Sequence, residues 1–143
     1  MSNRLVSVVI PCFNVADTIE RLIRSLHEQQ LPDSVELEIV AVDNGSTDGT
    51  LELLSRLPVR VVEESKCGPA AARNAGVRAA RGEIIVFLDG DIRLAHAHVI
   101  EEHLRTLNGH ADAGISGGAI THDPEQKNIY TFAENATALF NWH

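Results

Sequence analysis

Apolar positions along this chain keep changing period. Val6 to Ile10 (VSVVI) is β-branched, almost continuously apolar and stopped by Pro11, as expected of a strand covered on both faces. Ile19, Leu22, Ile23 and Leu26 then fall at i, i+3, i+4 and i+7, which predicts an amphipathic helix. Asn14 is expected to cap that helix, with Asp17 in its first turn. The unit repeats. Leu37 to Val42 predicts a second strand ending in the polar turn Asp43-Asn44-Gly45-Ser46, and a short helix with Leu51, Leu54 and Leu57 follows. Val59 to Val62 predicts a third strand. Pro69 suits a first helical position, and Ala70 to Ala80 is helix-favouring up to Gly82. Glu83 to Leu88 predicts a fourth strand that stops abruptly at Asp89-Gly90-Asp91. Val99, Ile100, His103, Leu104 and Leu107 mark another helix, closed by Asn108-Gly109. Ala113 to Ile120 reads as a glycine-weakened fifth strand, and beyond it the pattern fades. Such alternation predicts an α/β fold of βαβ units on a mainly parallel sheet, with ligands at the carboxyl ends of the strands.

Length and charge narrow this picture. The 143 residues fit one domain. With 44% hydrophobic and 22% charged residues, the composition is that of a globular protein. A formal net charge of -8 without any basic run argues against nucleic acid as a partner. A phosphorylated ligand would need its charge offset by something else, for which a divalent cation is suited. Cys12 and Cys67 are spaced as neither a zinc site nor a disulfide framework, and they read as reduced thiols. No stretch is apolar for long enough to cross a membrane, so the expected location is cytoplasmic. The seven histidines are scattered and read as solvated surface imidazoles. Asn44-Gly-Ser46 and Asn135-Ala-Thr137 match the glycosylation pattern, which a cytoplasmic chain does not use.

Three loops that follow strands carry unusual residues. In Pro11-Cys12-Phe13-Asn14, Phe13 stands where a core would not send an aromatic ring. Such a ring either stacks on a nucleobase or packs down as a staple on the next helix. In Asp43-Asn44-Gly45-Ser46-Thr47-Asp48, turn chemistry accounts for Asn-Gly and the hydroxyls, and Asp48 suits the cap of the next helix. It leaves Asp43, a carboxylate at the end of an apolar strand that could accept from the imide N–H of a uracil. In Asp89-Gly90-Asp91, two carboxylates flank a glycine that lets the backbone turn. Hard oxygen ligands of this kind suit Mg²⁺ or Mn²⁺ completed by substrate phosphates.

Taken together, VSVVIPCFNVADTIERLIRSL, EIVAVDNGSTDGT and GPAAARNAGVRAARGEIIVFLDGD resemble glycosyltransferase family 2, of the Rossmann-like GT-A fold. The likeness runs from Val6 to about Leu94. It implies an inverting enzyme that moves a sugar from a nucleotide diphosphate sugar, usually UDP-linked, to a saccharide or lipid-linked acceptor. Mn²⁺ or Mg²⁺ would be the cofactor. It also implies that Pro11 and Phe13 line the base pocket, that Asp43 takes the uracil edge, and that Gly68 to Asn74 covers the nucleotide. Arg73 and Asn74 are the polar members of that stretch, although Arg73 equally suits a structural tie beneath the pocket. Asp89 would lie near ribose and metal, and Asp91 would coordinate the cation that bridges the phosphates. One departure stands out: Asp-Asn-Gly-Ser replaces the Asp-Asp-Gly-Ser of many members, so a carboxylate is lost at Asn44, with little effect expected.

The same resemblance divides residues 1–143, a single domain, into a nucleotide-sugar-binding core at 1–120 and the incomplete start of an acceptor-side region at 121–143. No general base is expected here. Asp112, Asp123, Glu125 and Glu134 are the acids after Glu102, and none has a recognisable motif around it. Gly117-Gly118 fits either an acceptor entrance or a glycine-rich strand end. The apolar segment from Ile129 to Trp142 is expected to need a partner, as in a homodimer or at the inner face of a membrane. The alternative function is a non-catalytic or truncated module that binds a UDP-sugar without transfer. A dinucleotide-binding Rossmann domain is excluded because no G-x-G-x-x-G follows the first strand, and a receiver domain because that strand lacks paired acids.

Overall fold

The computed structural model describes residues 4–111, 113–122 and 130–141. The first sheet contains β1 (Arg4–Cys12), β2 (Val35–Asp43), β3 (Arg60–Glu63) and β4 (Ile84–Phe87) in the order β3-β2-β1-β4. All its pairings are parallel, with Cys12 beside Asp43 and Asp43 beside Glu63 at the carboxyl ends. The helices are α1 (Ile19–His27), α2 (Thr50–Leu54), α3 (Pro69–Ala79) and α4 (Val99–Gly109).

Alternation along β1 assigns the helices to the two faces. Val6, Val8, Ile10 and Cys12 pack with Ile19, Leu22, Ile23 and Leu26 of α1, Leu54 of α2, and Val99, Ile100 and Leu104 of α4. Val9, Val40 and Val42 point the other way, against Ala72 and Ala75 of α3. Burial on both faces is why β1 and β2 read as continuous apolar runs instead of alternating ones.

The helix α3 sits close to the sheet because its inner side is alanine and glycine. A Cβ added at Gly76 would collide with Cγ1 of Val9. Below this contact lies a buried carboxylate, Glu38 on β2. It accepts from the Ser7 hydroxyl at 2.6 Å, the Arg81 amide at 2.9 Å and Arg81 Nε at 2.7 Å. Burial alone would push this carboxyl up, but the Ser7 and Arg81 hydrogen bonds and the guanidinium charge outweigh it and hold Glu38 below the usual range.

Several local expectations are corrected. Asn14 does not cap α1: Thr18 occupies that position, and Asp17 lies before the helix, whose first-turn acid is Glu20. The predicted end of the sheet pattern hides a second sheet, ordered β5-β7-β6, of β5 (Ile92–Leu94), β6 (Ala113–His122) and β7 (Tyr130–Asn141). Three-residue β5 is too short to show a period, and β7 lies where the pattern fades. The β6 pairing is antiparallel to β7, with register shifts at Ala113/Ile115 and Gly117/Ala119. The backbone from Tyr130 to Asn141 therefore pairs within the chain, whereas Ile129, Trp142, Asp112, Asp123 and Glu125 lie outside the described residues. Of Glu134 only the backbone, in β7, is described. Among the described residues no helix is long and apolar enough to cross a membrane.

Candidate nucleotide-sugar site

A cavity of about 410 Å³ opens at the carboxyl ends of β1, β2 and β4. Pro11, Phe13, Gly68, Asp89 and Asp91 line it, together with Cys12, Asn44, Cys67 and Gly90. Phe13 is 59% exposed, which rules out the staple. An aromatic ring left in water at a cavity mouth has surface to offer a flat ligand.

The loops after β1 and β2 brace one another. Asn14, at φ 52°, accepts from the Thr47 amide at 2.8 Å, and its own N–H donates to the Ser46 hydroxyl at 3.0 Å. The Val15 N–H donates to the Thr50 hydroxyl at 2.9 Å and the Ala16 N–H to Asp48 at 3.0 Å. Asp48 also accepts from the Thr50 hydroxyl and amide, at 2.6 and 3.0 Å, and these bonds hold its carboxyl below the usual range. Asn14 thus uses its tolerance of the left-handed region to join two loops, not to start a helix.

Asp43 is 4% exposed. Its Oδ2 accepts from the Gly45 and Ser46 amides at 3.1 and 3.2 Å, while Oδ1 is buried with no partner among the described residues. A lone buried carboxylate oxygen is costly unless a ligand donor satisfies it. Burial of the Cys12 thiol, and after it the charge of neighbouring Asp43, push that thiol up to about 12, so Cys12 stays protonated and inert. Cys67, by contrast, is exposed at the cavity wall.

The backbone does turn at Gly90 and Asp91, as expected, but without a positive φ. A Cβ at Gly90 would stand 3.1 Å from Val15 Cγ2, a tight contact that asks Val15 to give by a few tenths of an ångström. The Gly90 carbonyl accepts from the Thr18 hydroxyl at 2.9 Å, tying the acidic loop to the start of α1. Arg73 donates to Asp89 Oδ1 at 2.6 Å, and both side chains are half-exposed. Asn74, the next residue along α3, is exposed, and like Asp43 and Arg73 it does not itself line the cavity.

Asp89 and Asp91 are the two acids that line the cavity, and no group of three or more His, Cys, Asp or Glu that could hold a metal exists among the described residues. Two carboxylates fit a Mg²⁺ or Mn²⁺ whose remaining ligands come from phosphates and water. The described histidines lie elsewhere: His98 pairs with Glu101 at 3.1 Å and His103 with the Ser116 hydroxyl at 2.8 Å. His103 is half-buried, so for it the surface reading is corrected.

The model of glycosyl transferase family 2 matches residues 7–140. The chain belongs to this family. Glycosyltransferase AglE of Haloferax volcanii is 36% identical over 110 residues, which take in 73% of this chain and 36% of that protein. Two solved glycosyl-transferring proteins are similar in fold. The mannosyltransferase PcManGT of Pyrobaculum calidifontis, in complex with GDP-Man and Mn²⁺, has a TM-score of 0.72 at 30% identity, with 85% of this chain and 36% of that one covered. Glucosyl-3-phosphoglycerate synthase of Mycobacterium tuberculosis, in complex with Mn²⁺, UDP and glucosyl-3-phosphoglycerate, has a TM-score of 0.62 at 31% identity, covering 73% and 39%. This family 2 chain therefore has the GT-A architecture, and it spans well under half the length of these relatives.

The family pattern by itself did not single out Cys67 or Asn14, and it marked Asn44 only as a lost carboxylate. The loop that Asn44 holds begins twenty residues away at Glu64.

Proposed function

We propose that this chain binds a UDP-linked sugar as the donor site of an inverting glycosyltransferase. The observation that carries the reading is one cavity, at the carboxyl ends of parallel strands, lined by Phe13, Gly68, Asp89 and Asp91. Phe13 stacks on the base, a contact worth about 1–3 kcal/mol in nucleic-acid systems. Asp43 Oδ1 accepts the imide N–H of uracil, which gives the buried oxygen its missing partner. Arg73 orients Asp89 and leaves one of its oxygens free for ribose or cation. Asp91 and Asp89 would hold Mn²⁺ or Mg²⁺, which would offset the charge of a phosphorylated ligand on an acidic protein. When bound, that ion neutralises charge on the departing diphosphate. The acceptor is a saccharide or a lipid-linked saccharide, and the protein works in the cytoplasm or at the inner face of the membrane.

Calorimetry tests the donor site. UDP should bind with Mn²⁺ present and lose affinity in chelator; equal affinity in both would reject the cation. Asp91→Asn should remove the cation-dependent part alone. Asp43→Asn has a more specific outcome. Its amide oxygen would stay on the Gly45 and Ser46 N–H groups, which puts an NH₂ donor in place of Oδ1. Cytosine presents an acceptor where uracil has its N–H, so this variant should come to prefer CDP over UDP. An unchanged preference would remove Asp43 from base recognition.

A further inference from the structure

Asn44 is 8% exposed, and all its amide hydrogen-bonding groups are in use. Nδ2 donates to the Glu64 carbonyl at 2.7 Å and the Lys66 carbonyl at 2.8 Å. Oδ1 accepts from the Gly68 N–H at 2.8 Å. Its backbone N–H donates to the Cys12 carbonyl at 2.9 Å, which keeps it tied to β1. One side chain thus fastens three successive points of the Glu64–Gly68 loop, whose far end, Cys67 and Gly68, forms a wall of the cavity. Gly68 has φ 118°, a backbone state that an L-residue rarely adopts, and it begins α3 directly before Pro69.

We propose that Asn44 is a positioning residue that holds this loop as the wall of the donor cavity, and that the role requires a neutral amide. Only an amide combines two donors with an acceptor in this geometry. A carboxylate could still accept from Gly68, but it would confront the Glu64 and Lys66 carbonyls with negative charge. The aspartate common at this position in the family would therefore open the loop in this protein. Asn44 is a matched part of its surroundings, not a carboxylate lost without consequence. The link from the loop to ligand binding rests on the donor reading above.

The test compares Asn44→Asp and Asn44→Ala with the wild-type protein in two independent measurements. Hydrogen exchange without ligand should show residues 64–68 opening about tenfold faster or more in both variants, with β1 and α1 unchanged, as expected for losing several hydrogen bonds at once. UDP with Mn²⁺ should bind about tenfold more weakly or worse to both near neutral pH. The groups around position 44 are Asp43 on its own strand, Cys12 from β1, and Glu64, Lys66 and Cys67 from the loop. Among them, the carboxyl made by Asn44→Asp is pushed up by burial and by the neighbouring Asp43 charge, so it takes up a proton as the pH falls and regains one donor. Relative to wild type at the same pH, Asn44→Asp should then recover part of its affinity while Asn44→Ala does not.

Unchanged exchange at 64–68 would overturn the inference, and so would variants with the wild-type affinity for UDP. If the wild type binds no UDP yet the exchange behaves as stated, the donor reading falls and the loop-holding role stands. Should Asn44→Asp fail to fold, Asn44→Ala alone decides through exchange and affinity.

Discussion

The two faces of the parallel sheet are built by different means. On one, α1, α2 and α4 cover β1 and β2 with large aliphatic side chains, including Leu22, Ile23, Leu26, Leu54 and Ile100, packed on Ile10 of β1. On the other, α3 lies close to the strands on alanine and glycine, and polar contacts do much of the joining. The first face draws its stability from buried apolar area, which pH barely affects. The second depends on Glu38, Ser7 and Arg81, and hence on a carboxylate staying charged. The cavity spans both: Phe13 comes from the loop that leads to α1, while Gly68 and Pro69 open α3. A fault on either face should reach the ligand, by a different route in each case.

The largest effect is expected on the aliphatic face. Ile10→Ala removes a fully buried side chain and should lower stability by about 2–5 kcal/mol. Urea unfolding at neutral and acid pH should show a similar loss at both, because no charge is involved.

A smaller effect of different character is expected at Glu38. Glu38→Gln keeps one oxygen, which can stay on the Ser7 hydroxyl and Arg81 amide, but turns an NH₂ towards Arg81 Nε and removes the charge, and it should cost about 1–3 kcal/mol near neutral pH. Because folding lowers the pKa of this carboxyl, its stabilising contribution is complete above the unfolded value near 4.5 and fades as pH falls through the lower folded value. The gap between wild type and Glu38→Gln should therefore shrink in acid, as read from unfolding midpoints between about pH 7 and pH 3. A gap that stays constant would mean the carboxylate contributes by shape and not by charge.

The smallest effect tests how close α3 sits. Gly76→Ala gains up to about 1 kcal/mol in helix propensity but overpacks against Val9, which typically costs about 1–3 kcal/mol. Alone it should be mildly destabilising. In a Val9→Ala background the clash with Cγ1 is gone, leaving Val42 Cγ2 at 3.2 Å and Val9 Cβ at 3.3 Å, and the same substitution should become much less destabilising. A double-mutant cycle on Tm reads the difference. If Gly76→Ala stabilises both backgrounds, the helix is free to move away from the sheet.

The sequence alone determined the strand-helix alternation and the loops that carry Phe13, Asp43 and the Asp89-Gly90-Asp91 acids. These features are local: a strand buried on both faces has to be continuously apolar, a helix has to repeat every 3.6 residues, and a turn needs its own residue types. That was enough to say where a ligand should sit. Only the tertiary structure decided which helix lies close to the sheet and how closely Gly90 meets Val15. The same holds for Asn14 joining two loops, Arg73 gripping Asp89 and Asn44 fastening a loop that begins at Glu64. Each is a contact between residues distant along the chain, and no local period or turn preference records such a pairing. The second sheet was hidden for the same reason, since the partner of three-residue β5 is β7, which begins at Tyr130. A single asparagine looks alike in sequence whether it caps a helix, closes a turn or holds a wall. Its three hydrogen-bond partners decide among these, and folding brings them together.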